Sequence, residues 1–357
     1  MLNVTKDPEK EKQHMAAVKA WQTIRIKRIE KIKSENESID DYNFSRDLRS
    51  VAYGEYRINP PLIKPSKLTY VEKGGVGKEL SDGWALNYAV GCTHACRFCY
   101  VDSIHKRYDA KRIGRGVNRS WGDYFYTPNN IDYAIEKTNW SKWSGKEVMM
   151  SSMHDPYLPQ LYNITRKIIT KALENGVKLC VQTRSPLVKR DFDIYEKYKD
   201  QVRIQVSVAT MNAELARFIE PRVSPPEERI NIIRNAKSMG LKAGIIIAPV
   251  MPPLKIRPDV IEDMEDIIRA ISDIKPDFIY GETIHARGSN IKDIESLLEE
   301  PLYLNGFDHA AEEQKVIYEI ASLIKIIGES DKYKMAYLVI GGNGFSANAK
   351  EYLFSQR

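Results

Sequence analysis

From residue 84 onward, short apolar runs rich in β-branched residues alternate with stretches of helical period, the pattern of βα units around a parallel sheet whose strands are buried on both faces. The pattern predicts strands over 84–90, 147–152, 177–183, 202–209, 241–249 and 277–283. Between and after them it predicts helices near 131–139, 160–175, 187–199, 225–239 and 258–274, and a longer one near 308–328. A further apolar run, 335–340, has the length of a seventh strand or an edge piece. Ahead of this region, residues 1 to about 35 read as one charged helix, with Asp7 as N-cap, Pro8 in the first turn and apolar Met15, Val18, Trp21, Ile29 and Ile32. Residues 36–82, with Pro60, Pro61, Pro65 and a glycine cluster at 74–77, read as an irregular wrapping extension. The expected domains are therefore 1–82, an N-terminal helix and extension; 83–285, the barrel; and 286–357, a C-terminal helical extension.

Composition narrows the class without naming a function. The 357 residues are 43% hydrophobic and 29% charged, ordinary for a folded chain, and the formal net charge of +6 matters only where cations cluster. The first dozen residues, rich in Lys and Glu, contain no apolar signal segment. The most apolar stretch, 243–254, has about half of the ~20 residues of a membrane span and is broken by Pro249, Pro252 and Pro253. Four cysteines, three of them between 92 and 99, do not make a secreted disulfide framework, so a reducing cytoplasm and no membrane are expected.

Those three thiols carry the chemistry. Gly91-Cys92-Thr93-His94-Ala95-Cys96-Arg97-Phe98-Cys99-Tyr100 sets them at C-x3-C-x2-C in the loop after the first barrel strand, and in a barrel that loop opens on the catalytic face. Three thiolates within eight residues can hold one face of an iron–sulfur cube that normally takes four, leaving one iron open to the amine and carboxylate of a small molecule. A Cys3His zinc site using His94, or a chance grouping of structural thiols, is the competing reading; zinc lacks a second ligand pair, since Cys180 stands alone. Lys73-Gly-Gly-Val-Gly-Lys78 resembles a phosphate loop but has Glu79 where a magnesium-binding hydroxyl belongs and no helix following. Gly341-Gly-Asn-Gly344 reads as a glycine turn.

The cysteine motif followed by a βα barrel resembles the radical SAM superfamily. Phrases at successive strand ends, Ser151-Ser152-Met153-His154-Asp155-Pro156, Gln182-Thr183-Arg184-Ser185, Gln205-Val206-Ser207-Val208, Glu220-Pro221 with Ser224-Pro225, and Ile247-Ala248-Pro249-Val250, resemble its spore photoproduct lyase (DNA repair photolyase-like) family over roughly 84–285. The resemblance implies an α/β fold, an incomplete (β/α)6 TIM-type barrel of the radical SAM type with an N-terminal helical extension and a C-terminal helix. It implies a [4Fe-4S] cluster on Cys92, Cys96 and Cys99, S-adenosylmethionine contacted by Ser152, Arg184 and Ser207, and an external one-electron reductant of flavodoxin or ferredoxin type. Cleavage of the cofactor to a 5′-deoxyadenosyl radical would then abstract hydrogen from a nucleic-acid lesion or nucleobase. Ser152, Arg184 and Ser207 also stand out without it, as places where an apolar strand first turns polar. Arg184 replaces the family's usual Lys, and a guanidinium can still meet a carboxylate.

Two departures bear on the reaction. The lyases carry a hydrogen-donating cysteine where this chain has Ser152, and a tyrosine where it has Phe98, while Tyr100, the catalytic candidate, is retained. Poor or absent repair of spore photoproduct is the resulting expectation. Cys180 reads as a packed strand thiol. Over 105–126, Lys106, Arg107, Lys111, Arg112, Arg115 and Arg119 precede Trp121, Tyr124, Phe125 and Tyr126, so the segment reads either as a nucleic-acid-binding loop or as a solvated loop backed by core aromatics. A non-catalytic iron–sulfur or zinc protein binding nucleic acid through that segment is the alternative function.

Overall fold

The computed structural model describes residues 48–66, 80–113, 118–284, 289–299, 301 and 302. The expected helices over 1–35 and 308–328, the glycine clusters at 74–77 and 341–344 and the run 335–340 lie outside the described residues. All six strands of the expected parallel sheet are present: β3 (Trp84–Leu86), β5 (Glu147–Met150), β6 (Lys178–Thr183), β7 (Val202–Ser207), β8 (Lys242–Val250) and β9 (Ile279–Thr283). They lie in the order β3-β5-β6-β7-β8-β9, every neighbouring pair parallel. This is an incomplete TIM-type barrel wall.

Strands at 52–56 and 63–65 correct the expectation of an irregular segment over 36–82, and a strand at 124–128 corrects the loop expected up to 126. β1 (Ala52–Tyr56) pairs in parallel with β4 (Tyr124–Pro128), and β2 (Ile63–Pro65) adds an antiparallel edge to β3. The aromatic run at 124–126 is thus a strand, with Tyr124 and Phe125 fully buried, as the core-aromatic reading has them, and Tyr126 half-buried.

Strand register assigns the faces. Leu179, Val181, Ile204, Val206, Ala243 and Ile245 face one way and pack in the main core with Ile168, Ile169, Ala172, Ile232 and Ile233 of the covering helices. Helix Tyr162–Glu174 buries Thr165, Ile168, Ile169, Ala172 and Leu173, a stripe at helical spacing. The opposite, inner face carries Cys180 beside Arg203, and Gln182 beside Gln205. The helix ends are specified locally: Asn212 caps Ala213–Ile219, Asp259 caps Val260–Ser272, and Pro226 opens Pro226–Ser238. Helices Val101–Tyr108, Ala110–Ile113 and Ala213–Ile219 were not foreseen, and Asn290–Leu298 falls within the segment expected to be a helical extension.

Candidate functional site

The cysteine loop leaves β3 through Gly91, whose φ is +92° and where an added Cβ would sit 2.2 Å from the Tyr124 carbonyl oxygen, so only glycine fits. Two turns follow, closed by Ala95 N–H to the Cys92 oxygen at 3.3 Å and Cys99 N–H to the Cys96 oxygen at 3.1 Å. Ala95 packs on Gly122 (φ +91°) so closely that a Cβ on Gly122 would lie 2.3 Å from its methyl group. The loop is then stitched to distant chain. Arg97 donates its N–H to Ile219 O at 2.9 Å and Nε to Phe218 O at 2.7 Å, Asn290 Nδ2 donates to Phe98 O at 3.0 Å, and His94 Nδ1 lies 3.5 Å from Asp155 Oδ2.

Cys92, Cys96 and Cys99 are free thiols, the first two buried and the third half-buried. Burial pushes Cys92 and Cys99 up to about 12 and Cys96 higher still, and each is raised further by a neighbouring thiol of the trio. Without a cation these sulfurs stay protonated; a multi-iron centre supplies the positive charge that their ionisation needs, and the donor set fits one. Among the described residues no three His, Cys, Asp or Glu side chains converge where a single metal ion could be held. A cube assigns each sulfur to a different iron, whereas zinc needs its ligands around one point. His94 faces Asp155 instead, and burial holds its imidazole below the ordinary range.

On the next strand, β5 ends at Met150 and the chain turns polar. Asn87 organises the turn: its Oδ1 accepts the Ser151 hydroxyl at 2.8 Å and the Ser152 N–H at 3.0 Å, and its Nδ2 donates to Ser152 Oγ at 3.0 Å. Tyr100 Oη donates to the Ser152 carbonyl at 2.8 Å, bringing together two residues singled out in the sequence. Asp155 then ties this loop to β6, accepting Thr183 Oγ1 at 2.8 Å and the Arg184 N–H at 2.7 Å.

Arg184 stands just past β6 with its guanidinium 5.4 Å from the centroid of the Phe98 ring. Its Nε donates to Glu220 Oε1 at 2.8 Å and its Nη2 to Ala248 O at 3.1 Å. Burial pulls its ionisation down, but Cys96 and Glu220 outweigh that and hold it raised. Glu220 takes Arg229 Nη2 on its other oxygen at 2.6 Å, and Arg229 Nη1 reaches the Ser207 carbonyl at the end of β7 at 2.8 Å. Burial would raise the Glu220 carboxyl, yet the two guanidinium groups hold it below its ordinary value. Ser152, Arg184 and Ser207 therefore lie at the ends of adjacent strands, the first two against Tyr100 and Phe98 of the cysteine loop. Cys180 is fully buried in the middle of β6, as the packing reading expects.

Asn87, Glu220 and Arg229 gained no role from sequence reasoning. Arg229 left a signal: it shares one stripe of its helix with buried Ile232, Ile233 and Ala236, an odd place for a cation. The basic segment corrects its expectation too, being helical over Val101–Tyr108 and Ala110–Ile113. Lys106, Arg107, Lys111 and Arg119 are exposed, Lys106 pairing with Asp102, and Tyr108 is the exposed aromatic at 65%. Among the described residues no helix is long and apolar enough to cross a membrane.

Residues 86–271 match the model of the Radical SAM superfamily. The chain is 58% identical over 268 residues, 75% of its length and 89% of the relative's, to an uncharacterized protein of Acidianus two-tailed virus. It is 26% identical over 210 residues, 58% of its length and 72% of the relative's, to an uncharacterized protein of Methanocaldococcus jannaschii. Among solved structures it resembles a spore photoproduct lyase complexed with dinucleoside spore photoproduct (TM-score 0.55, 14% identity, 86% of each chain). It also resembles a mutant of such a lyase with bound AdoMet and the same dinucleoside (TM-score 0.55, 14% identity, 83% of this chain and 85% of that one). At that identity the likeness is one of fold.

Proposed function

This chain belongs to the radical SAM superfamily and is an enzyme of radical SAM type, and on that premise we propose that Cys92, Cys96 and Cys99 hold a [4Fe-4S] cluster while Ser152, Arg184 and Ser207 hold S-adenosylmethionine. When bound, these groups supply reductive cleavage to a 5′-deoxyadenosyl radical, with the electron delivered by a flavodoxin- or ferredoxin-type partner. The substrate class we assign is a nucleic-acid lesion or nucleobase.

The observation that carries the reading is the fixed guanidinium of Arg184 against the cysteine loop. Its Nε and Nη2 are already committed to Glu220 and Ala248, and Nη1 has no partner among the described residues, so an edge is left for a carboxylate. The side chain keeps 22% exposure, enough to be reached. Ser152 is oriented through Asn87 and Tyr100, which hold its hydroxyl, N–H and carbonyl. Tyr100 is the remaining catalytic candidate of the lyases' hydrogen relay, and its phenol is fixed on the Ser152 peptide. Lys106, Arg107, Lys111 and Arg119 would neutralise phosphates beside this mouth, with Tyr108 as the ring available for stacking.

Anaerobically purified, reconstituted protein is expected to form 5′-deoxyadenosine only when reductant and S-adenosylmethionine are both present, and a nucleic-acid substrate is expected to raise the yield. Zinc without iron in the protein, or no deoxyadenosine from an intact cluster, overturns the reading. Spore photoproduct DNA is expected to be repaired poorly, because a hydroxyl O–H at Ser152 is too strong to return a hydrogen atom as a thiol does. Ser152→Cys should raise repair; repair by the wild-type chain over many turnovers would refute the substitution argument.

A further inference from the structure

Behind Arg184 stands a second guanidinium to which the reading above gives no task. Arg229 and Glu220 are each 1% exposed, joined at 2.6 Å, and the other oxygen of Glu220 takes Arg184 at 2.8 Å. The sequence of charges is Arg229, Glu220, Arg184: two cations on one anion. A buried ion pair cancels itself, but this triad carries one positive charge in excess, and Arg229 Nε is buried with no hydrogen-bond partner. An unmatched buried charge is costly unless something negative faces it.

What faces it is the cysteine loop, together with Asp155, whose carboxylate accepts the Arg184 N–H at 2.7 Å and lies 3.5 Å from His94 Nδ1. The Arg184 guanidinium lies over Phe98, the residue before Cys99. The carbonyl of Ile219, the residue before Glu220, holds the N–H of Arg97, the residue after Cys96. Three thiolates on a cube at its 2+ level leave one negative charge, and reduction adds a second. A fixed positive charge beside such a centre favours the reduced form more than the oxidised one.

We propose that Arg229, a positioning residue acting through Glu220, adds one fixed positive charge to the wall behind Cys92, Cys96 and Cys99 and so makes the cluster held there easier to reduce; this rests on the cluster assignment above. The charges of the triad are +1 in the wild type, 0 in Arg229→Met, +2 in Glu220→Gln and +1 again in the double variant. The test is a potentiometric titration, followed by electron paramagnetic resonance, of the four reconstituted full-length proteins without S-adenosylmethionine. Arg229→Met is expected to cut the reduced-to-oxidised ratio at fixed potential by about tenfold, equivalent to about 59 mV for a one-electron couple. Glu220→Gln should move the ratio the other way, and the double variant should return to the wild-type value. Mere structural damage would not change sign between the two single variants and cancel in the double. Should Arg229→Met fail to fold, Glu220→Gln against the double variant still decides. Equal potentials in proteins that all carry the cluster, or both single variants moving in the same direction, overturn this inference alone. A wild-type protein that binds no iron and sulfide overturns it together with the cluster assignment.

Discussion

The imidazole of His154 lies 3.0 Å from Ser151 Oγ through Nδ1 and stands edge-on to the Tyr88 ring, 4.6 Å between centroids. Burial, and secondarily His105, push its pKa down to about 3. In the unfolded chain the same group takes its proton near pH 6.5, so between those values the unfolded state binds more protons and stability falls as pH falls. The contribution is fully present above about pH 6.5 and is lost progressively toward about pH 3. Urea unfolding at a series of pH values should therefore show a slope between about pH 6.5 and 4 that His154→Gln reduces by up to one proton; an unchanged slope would remove His154 from the account. At the same scale, replacing Cys92, Cys96 or Cys99 by Ala should abolish the visible absorbance of the cluster, and Cys180→Ala should leave it. Bleaching by Cys180→Ala would refute the three-cysteine site. The placement of Cys92, Cys96 and Cys99 on one loop and of Ser152, Arg184 and Ser207 at strand ends was readable in the sequence because each breaks a local pattern. Asn87 was not, because its importance lies in bonds to Ser151 and Ser152, more than sixty positions away.

Among the elements, the six parallel strands were legible because the residues they turn to the covering helices, such as Leu179, Val181, Ile204, Val206 and Ile245, are apolar and often β-branched. Helix Val101–Tyr108 was hidden because its inward positions are Val101 and His105, and a buried histidine bonded to Asp109 at 2.7 Å does not register as apolar. The strand Tyr124–Pro128 was hidden by its aromatic content, which suits stacking as well as a core. The contact between the cysteine loop and the turn before that strand gives a prediction. Gly122→Ala forces a positive φ on alanine and drives its Cβ into Ala95, at a cost on the order of 1–3 kcal/mol. Reconstituted iron per chain should drop while the far-UV spectrum holds. Full iron loading in this variant would show that the loop does not depend on the Gly122 contact.

For the whole molecule, the arrangement of β3, β5, β6 and β7 as neighbours brings four loops from distant parts of the sequence to one rim, and the exposed Lys106, Arg107, Lys111 and Arg119 lie on the chain leaving the first of them. Binding of single-stranded DNA should weaken with salt, with a log–log slope of about −2 to −3 for three or four phosphate contacts, and Arg107→Glu with Lys111→Glu should flatten it by about 1.5. A slope unaffected by both changes would place nucleic acid elsewhere or nowhere. The short cysteine loop is fastened to Asp155, Phe218, Ile219 and Asn290, the last 192 positions downstream. Whatever energy iron contributes to that loop is therefore shared with chain from most of the sheet. Air, by dismantling the metal centre, would then do more than silence chemistry: it would lower the melting temperature of the entire body and expose it to proteases, so that oxygen history is recorded in the protein's lifetime.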